Sequence, residues 1–259
     1  MWKKIILITA VFVIVSCATT PLGRKQLAFM PIEQMDEMGV QAFQTIKNET
    51  PVAPNSQVNS YVQCVTDALL NTLQDSEGWE IVVFEDEAVN AFALPGRKIG
   101  VYTGLLNVAE NQHQLAAVIG HEIAHVLSNH GNERVSQQML MQTGMELAQI
   151  IFTNPESQTA QIALGALGLG AQFGVILPFS RKHESEADEL GLQIMARAGF
   201  QPQEAVNLWV NMGKGSEGAA PPEFMSTHPS HETRINDLQS QMYYAQQLYQ
   251  QAAYYPNCR

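Results

Sequence analysis

At 259 residues with 46% hydrophobic content, the chain suits one large or two small domains and has ample material for a core. Lys and Arg number 14 against 25 Asp and Glu, a net charge of -11. That balance excludes the basic footprint of a nucleic-acid-binding protein.

Met1-Trp2-Lys3-Lys4 is a short basic stretch, and Ile5 to Val15 is an apolar run of signal-peptide length, short for a membrane span. It ends Ile14-Val15-Ser16-Cys17, which resembles a bacterial lipobox cleaved before a Cys that becomes lipidated. An ordinary signal peptide or an uncleaved anchor is the alternative. Two further cysteines, Cys64 and Cys258, make a disulfide candidate in an oxidising compartment, or two free thiols.

From Cys17 to about residue 30, Thr19, Thr20, Pro21 and Gly23 favour a tether without regular elements. Helical spacing follows over Ile32–Ile46, broken by Pro51 and Pro54, and again over Val58–Leu73. Ile81–Phe84 reads as a strand; Asn90–Leu94 and Ile99–Tyr102, joined by Pro95-Gly96, read as a hairpin. The edge carrying Asn90, Ala91, Phe92 and Ala93 is suited to holding an extended peptide through main-chain hydrogen bonds. Asn111, with Gln114 three residues on, resembles a capping pair that opens a helix; Gly131 ends its core, and Val135–Ile151 resumes helical spacing. Ala160–Leu177 is apolar and glycine-rich, a buried or membrane-facing hairpin rather than a span. Lys182–Ala198 is a helix closed by Gly199, residues 213–223 are a loop, and Ile235–Tyr255 is a terminal helix. The class is α+β, mostly helical, with a small sheet beside the Asn111 helix.

That helix contains His121-Glu122-Ile123-Ala124-His125, the H-E-x-x-H pattern. Two His four residues apart share one face and can reach one cation, while Glu122 can hold a water without being a ligand. Leu115, Ala116, Val118, Ile119, Ile123, Val126 and Leu127 leave almost no polar face. A carboxylate and two imidazoles buried there are costly unless paired, and a zinc ion is one answer; core hydrogen bonds are the other. A catalytic zinc site uses a third protein ligand and an open position. His130 does not fit the longer H-E-x-x-H-x-x-G-x-x-H pattern, because Ser128 and Gly131 stand where Gly and His are required. Glu184 and Asp188 share a helix face, with Glu186 roughly opposite. Glu184 would then bind the ion and Asp188 would orient a ligating His through its other ring nitrogen; taken in isolation, the segment reads as a solvated acidic helix start. His113, His130, His183 and His231 read as surface or structural.

HEIAHVLSNHG, ESEAD, the upstream NAFALPG and IGVYTGLL, and the downstream STHPSHETRI together resemble the zinc metallopeptidase family of HtpX and the CAAX prenyl protease. Within that family they resemble a subgroup of periplasmic lipoproteins. The similarity runs over roughly residues 50 to 240 and implies a gluzincin-type fold. It implies one zinc on His121, His125 and Glu184, Glu122 as the base, Asp188 in support, His228 near the metal, and Arg234 as the family's arginine. Arg97 stands where many members carry a second Gly after Pro-Gly. The organisation then expected is a signal peptide at 1–16, a lipidated tether with its helix at 17–50, and a peptidase domain at 51–259. The expected activity is cleavage of polypeptides, misfolded envelope proteins among them. The rival is an assembly or quality-control binding factor with a closed or regulated zinc site and envelope protein partners. Ala18 after the Cys points, by resemblance, to a lipid anchor in the bacterial outer membrane facing the periplasm.

Overall fold

Two short strands, β1 (Cys17–Thr19) and β2 (Lys25–Leu27), open the described part of the chain as an antiparallel hairpin with Thr19 opposite Lys25. The computed structural model describes residues 17–140, 180–214, 223–228 and 232–258. The 1–16 leader, the glycine-rich 160–177 stretch and His231 lie outside them. A loose tether was the expectation for residues 17–30, and the structure departs from it. Thr20 and Gln26 are buried, Phe29 N–H donates to Ser136 Oγ at 3.0 Å, and Met30 N–H donates to Asn132 Oδ1 at 3.3 Å. Those partners lie more than a hundred residues away, and local composition carries no trace of them.

Helix α1 (Ile32–Glu49) buries Met35, Gly39, Phe43 and Ile46, one stripe at helical spacing. Gly39 lies against the β4–β5 turn so closely that a Cβ would meet Pro95 O at 2.1 Å. Asp36 Oδ1 accepts from Gly96 N–H at 2.8 Å, steadying a turn in which Gly96 and Arg97 have φ of 77° and 62°. The left-handed conformation at Arg97 is the physical reason a second Gly suits this position. Here the Arg97 side chain pairs with Asp75 at the surface. Helix α2 (Ser56–Leu70) starts at Asn55, whose side chain accepts from Gln57 and Val58 N–H.

The three-stranded sheet has the order β3 (Glu80–Phe84), β5 (Lys98–Tyr102), β4 (Ala91–Leu94), with β3 parallel and β4 antiparallel to β5. Phe43, Phe84, Phe92 and Tyr102 form an aromatic cluster between α1 and the sheet. A 3-10 turn (Thr103–Asn107) leads to α3 (Gln112–Leu127). Asn111 caps α3, accepting from His113 and Gln114 N–H at 2.9 and 3.0 Å. Gln114 Oε1 returns to Glu110 N–H, one residue earlier than a capping box would have it.

α3 is buried on nearly every side, and α4 (Arg181–Arg197) packs along it. Gly120 and Gly191 meet at the crossing: a Cβ on Gly191 would lie 2.8 Å from His121 N and 2.9 Å from its Cα. No side chain separates the two backbones there. That contact brings the acidic start of α4 to the H-E-x-x-H face of α3. Helices α5 (Gln203–Lys214), α6 (Glu223–Thr227) and α7 (Glu232–Gln250) complete the layer. α7 ends earlier than its apolar spacing suggested, because the tail turns back. Cys258 forms a disulfide with Cys64 of α2, Cα atoms 5.7 Å apart. Gln112 at the start of α3 clamps the same tail through Pro256 O and Cys258 N–H. The fold is α+β and mostly helical, as the elements implied.

Candidate metal centre

His121 and His125 point their Nε2 atoms at each other, 3.0 Å apart. Glu184 Oε2 lies 3.5 Å from His121 Nε2, and Glu184 Oε1 lies 3.5 Å from His125 Nε2. His228 brings Nδ1 to 3.3 Å from His121 Nε2 and 3.2 Å from Glu184 Oε1. One donor atom from each of these four buried residues falls within 4.8 Å of the others. His121, His125, Glu184 and His228, drawn from α3, α4 and the end of α6, are thus brought to one point.

The donor chemistry fits a divalent ion. Nitrogen and carboxylate donors crowd together through their lone pairs, which a shared cation turns from repulsion to attraction. Glu122, Glu184 and Asp188 are three buried carboxylates. The Arg234 guanidinium answers one charge, bonding Glu184 Oε2 at 2.8 Å and Asp188 at 2.5 and 2.6 Å. Glu122 is left without a guanidinium partner among these bonds, and a cation held by His121, His125 and Glu184 would stand beside it. Burial works against a charged His121, yet Asp188 and Glu184 raise it to about 9. Burial holds His125 well below its usual range, aided by the neighbouring His121. Glu184 stays well below the carboxylate range despite its burial, because imidazoles surround it.

Each α3 imidazole is braced on its far side. His121 Nδ1 faces Asp188 Oδ1 at 2.9 Å, and Arg234, its guanidinium 3.9 Å above the Trp209 ring, locks Asp188 in turn. Burial would raise Asp188, but Arg234 and His121 lower it. His125 Nδ1 faces His130 Nδ1 at 2.9 Å, and His130 Nε2 faces Glu186 Oε2 at 3.0 Å. Neither His130 nor Glu186 stood among the expected site residues, and both are buried, as is His183. Glu186 does point away from the metal face, as helical geometry requires, yet it meets protein there rather than solvent. A His five residues after His125 was the available signal. Phe224 also went unanticipated; it stacks on the His228 ring with centroids 4.5 Å apart.

Glu122 Oε2 accepts from Ala93 N–H at 3.0 Å, and Oε1 accepts no hydrogen bond and lies 3.4 Å from His228 Nε2. Burial raises the Glu122 carboxyl. β4 is the sheet edge beside α3, where the peptide-binding edge was expected. Asn90 spends its carbonyl on Tyr102 N–H at 3.1 Å, so Asn90 and Phe92 pair inward with β5 while Ala91 and Ala93 turn their main-chain groups outward. Of the four edge residues, then, Ala91 and Ala93 are the two whose main-chain groups are not spent on β5, and Ala93 is the one bonded to Glu122. Cys17 opens β1, remote in sequence from the centre.

The sequence is similar to those of known proteins. "Mitochondrial metalloendopeptidase OMA1" of Schizosaccharomyces pombe is 38% identical over 170 residues, covering 62% of this chain and 46% of that protein. Its Saccharomyces cerevisiae counterpart is 34% identical over 189 residues, 70% of this chain and 52% of that protein. The "Beta-barrel assembly-enhancing protease" of Yersinia pestis is 27% identical over 225 residues, 85% of this chain and 46% of that protein. The chain spans about half the length of these relatives. They correct one expectation: the matches of higher identity are mitochondrial proteins, so the assignment to a bacterial outer membrane, which rested on the lipobox-like Ile14–Cys17 stretch and on Ala18, does not stand. A sequence profile matches residues 53–242, taking in the H-E-x-x-H helix, the Glu184 helix and Arg234, and by that match the chain belongs to peptidase family M48.

Proposed function

We propose that this protein is a zinc-dependent metalloendopeptidase acting on misfolded membrane-associated polypeptides. The observation that carries the reading is the convergence of His121, His125 and Glu184 beside a buried Glu122 with one oxygen unbonded. Two imidazoles and a carboxylate are the donor set of many hydrolytic zinc centres. The ion, when bound, supplies a Lewis acid that polarises a peptide carbonyl and brings the pKa of water to about 7.

The protein's own groups do the rest. The outward main-chain groups of Ala91 and the carbonyl of Ala93, whose N–H stays on Glu122, hold an extended substrate along the β4 edge. Glu122, fixed at Oε2 by Ala93 N–H, takes a proton from the attacking water at Oε1 and returns it to the leaving nitrogen. Its upward-shifted carboxyl suits that return. His228 donates from Nε2 to the oxyanion that develops on the substrate. Glu122→Gln is expected to retain fold and zinc and to lose essentially all casein cleavage; a variant keeping most activity would remove Glu122 from this role.

A second reading has its own observation. His228 Nδ1 sits 3.2 Å from Glu184 Oε1, among the donors, which suits a fourth ligand closing the site. Its Nε2 then faces Glu122, so that both the open position and the base are occupied. His228→Ala separates the two: cleavage rises if His228 shuts the site and falls if it stabilises the oxyanion. For attachment, Ile14-Val15-Ser16-Cys17 supports an N-terminal lipid on Cys17. Loss of labelled palmitate incorporation in Cys17→Ser would test it.

A further inference from the structure

We propose that His130 and Glu186 are positioning residues for the metal ligand His125, and that the Thr20–Arg24 turn of the N-terminal hairpin holds them in place. The inference rests on the metal-site reading above and extends it to groups that touch neither ion nor substrate.

The chain of contacts starts at two ring nitrogens. His125 Nδ1 and His130 Nδ1 are 2.9 Å apart, so one proton lies between them. His130 Nε2 is 3.0 Å from Glu186 Oε2, and a carboxylate can only accept, so His130 carries its proton on Nε2. His130 Nδ1 is then the acceptor and His125 Nδ1 the donor. That tautomer leaves the His125 Nε2 lone pair aimed at Glu184 and His121. The opposite arrangement, with the proton on His130 Nδ1, would put the His125 proton on Nε2, where the ion must bind. Glu186 thus selects, through His130, the one form of His125 that can be a ligand.

Glu186 is itself held from a remote part of the chain. Thr20 Oγ1 donates to Oε1, and Arg24 Nε donates to Oε2 at 2.7 Å, across sequence separations of 166 and 162. Arg24 Nη1 and Nη2 grip Glu133 at 3.0 and 2.7 Å, which fixes the guanidinium plane. The His183 ring lies on His130 with centroids 4.5 Å apart, and its Nε2 is 3.1 Å from Glu133 Oε2. His130 is therefore confined at both nitrogens and on one face. The result parallels the other ligand: His121 is backed by Asp188 and Arg234, His125 by His130, Glu186 and Arg24. The hairpin that opens the described chain thereby becomes part of the metal centre.

The test uses the full chain with zinc alone as the probe, read by chelator competition and by nitrogen NMR of histidine-labelled, zinc-loaded protein. His130→Phe removes the acceptor and is expected to weaken zinc binding about 10- to 100-fold, the usual effect of losing such a partner. His130→Asn offers a carboxamide oxygen to His125 Nδ1–H and should recover part of the loss. Arg24→Met and Glu186→Gln should each weaken binding by a smaller factor, and they keep the test intact if His130→Phe does not fold. NMR should find the proton on Nδ1 of His125 and on Nε2 of His130. A proton on His130 Nδ1, or zinc affinity unchanged in all the folded variants, overturns the proposal. If the unmodified protein itself binds no zinc, the metal reading falls and this one with it; if it binds zinc and the variants bind equally, the relay alone falls.

Discussion

A close backbone contact beside the candidate metal centre is the one between α3 and α4, and Gly191→Ala perturbs it directly. The added Cβ would lie 2.8 Å from His121 N, against a comfortable carbon contact of roughly 3.5 Å, so the helices must part by about 0.7 Å. Overpacking of this kind costs about 1–3 kcal/mol, and the better helix propensity of Ala returns about 1 kcal/mol, for a net loss of about 0–2 kcal/mol. The larger effect falls on the centre. Glu184 and Asp188 ride on α4, and a rigid shift of about 0.7 Å stretches the 2.9 Å His121–Asp188 contact past hydrogen-bond range. Zinc affinity should fall about tenfold or more. Urea unfolding of the metal-free protein and chelator competition of the loaded one measure the two effects separately. Gly213→Ala, with nothing within 4 Å of its new Cβ, is the control and should be neutral or stabilising. If Gly191→Ala matched wild type in both measurements, the claim that a glycine contact sets the ligand spacing would be wrong.

Arg234→Met leaves Glu184 and Asp188 buried without their guanidinium and should destabilise the metal-free protein by about 3–5 kcal/mol; a change within experimental error in the urea midpoint would contradict the pairing. Burial would raise Glu133, but His183 and Arg24 hold it at about 2 against 4.5 unfolded. Its contribution to stability is therefore present above pH 4.5 and is lost as pH falls towards about 2. Unfolding midpoints across that window should fall less steeply in Glu133→Gln than in wild type, and equal slopes would count against the assignment. Asn111→Ala removes the α3 cap and should cost about 1 kcal/mol in thermal or urea unfolding, with Asn111→Ser restoring most of it; no loss on going to Ala would mean the cap is redundant.

The residues of the candidate centre stand out in the sequence because their spacing is local. His121 and His125 repeat at one helical turn, as do Glu184 and Asp188, and an apolar helix flanking the first pair marks them as buried. The hairpin of β4 and β5 announced itself through Pro95-Gly96. Thr20, Arg24, His130 and Glu186 were not legible. Their meaning lies in contacts between segments up to 166 residues apart, and isolated polar residues have no period to betray burial. Gly191 is a similar case: a glycine inside a helix pattern reads as a weakness until the facing helix is known. The tail was misjudged for the same reason, since the apolar spacing of α7 runs on past Gln250 while Cys64 and Gln112 pull the chain away.

The bridge between Cys64 and Cys258 spans 194 residues, and a covalent ring of that size restricts the denatured ensemble by about 5 kcal/mol in the chain-entropy treatment. Residues 121, 125, 184 and 228 all fall inside the ring. A molecule stripped of its ion and partly melted would still keep its four donors on one closed loop, unable to drift apart as those of an open chain can. Capture of an ion by the candidate centre would then begin from a confined search, a route back to a filled site after chelation or heat.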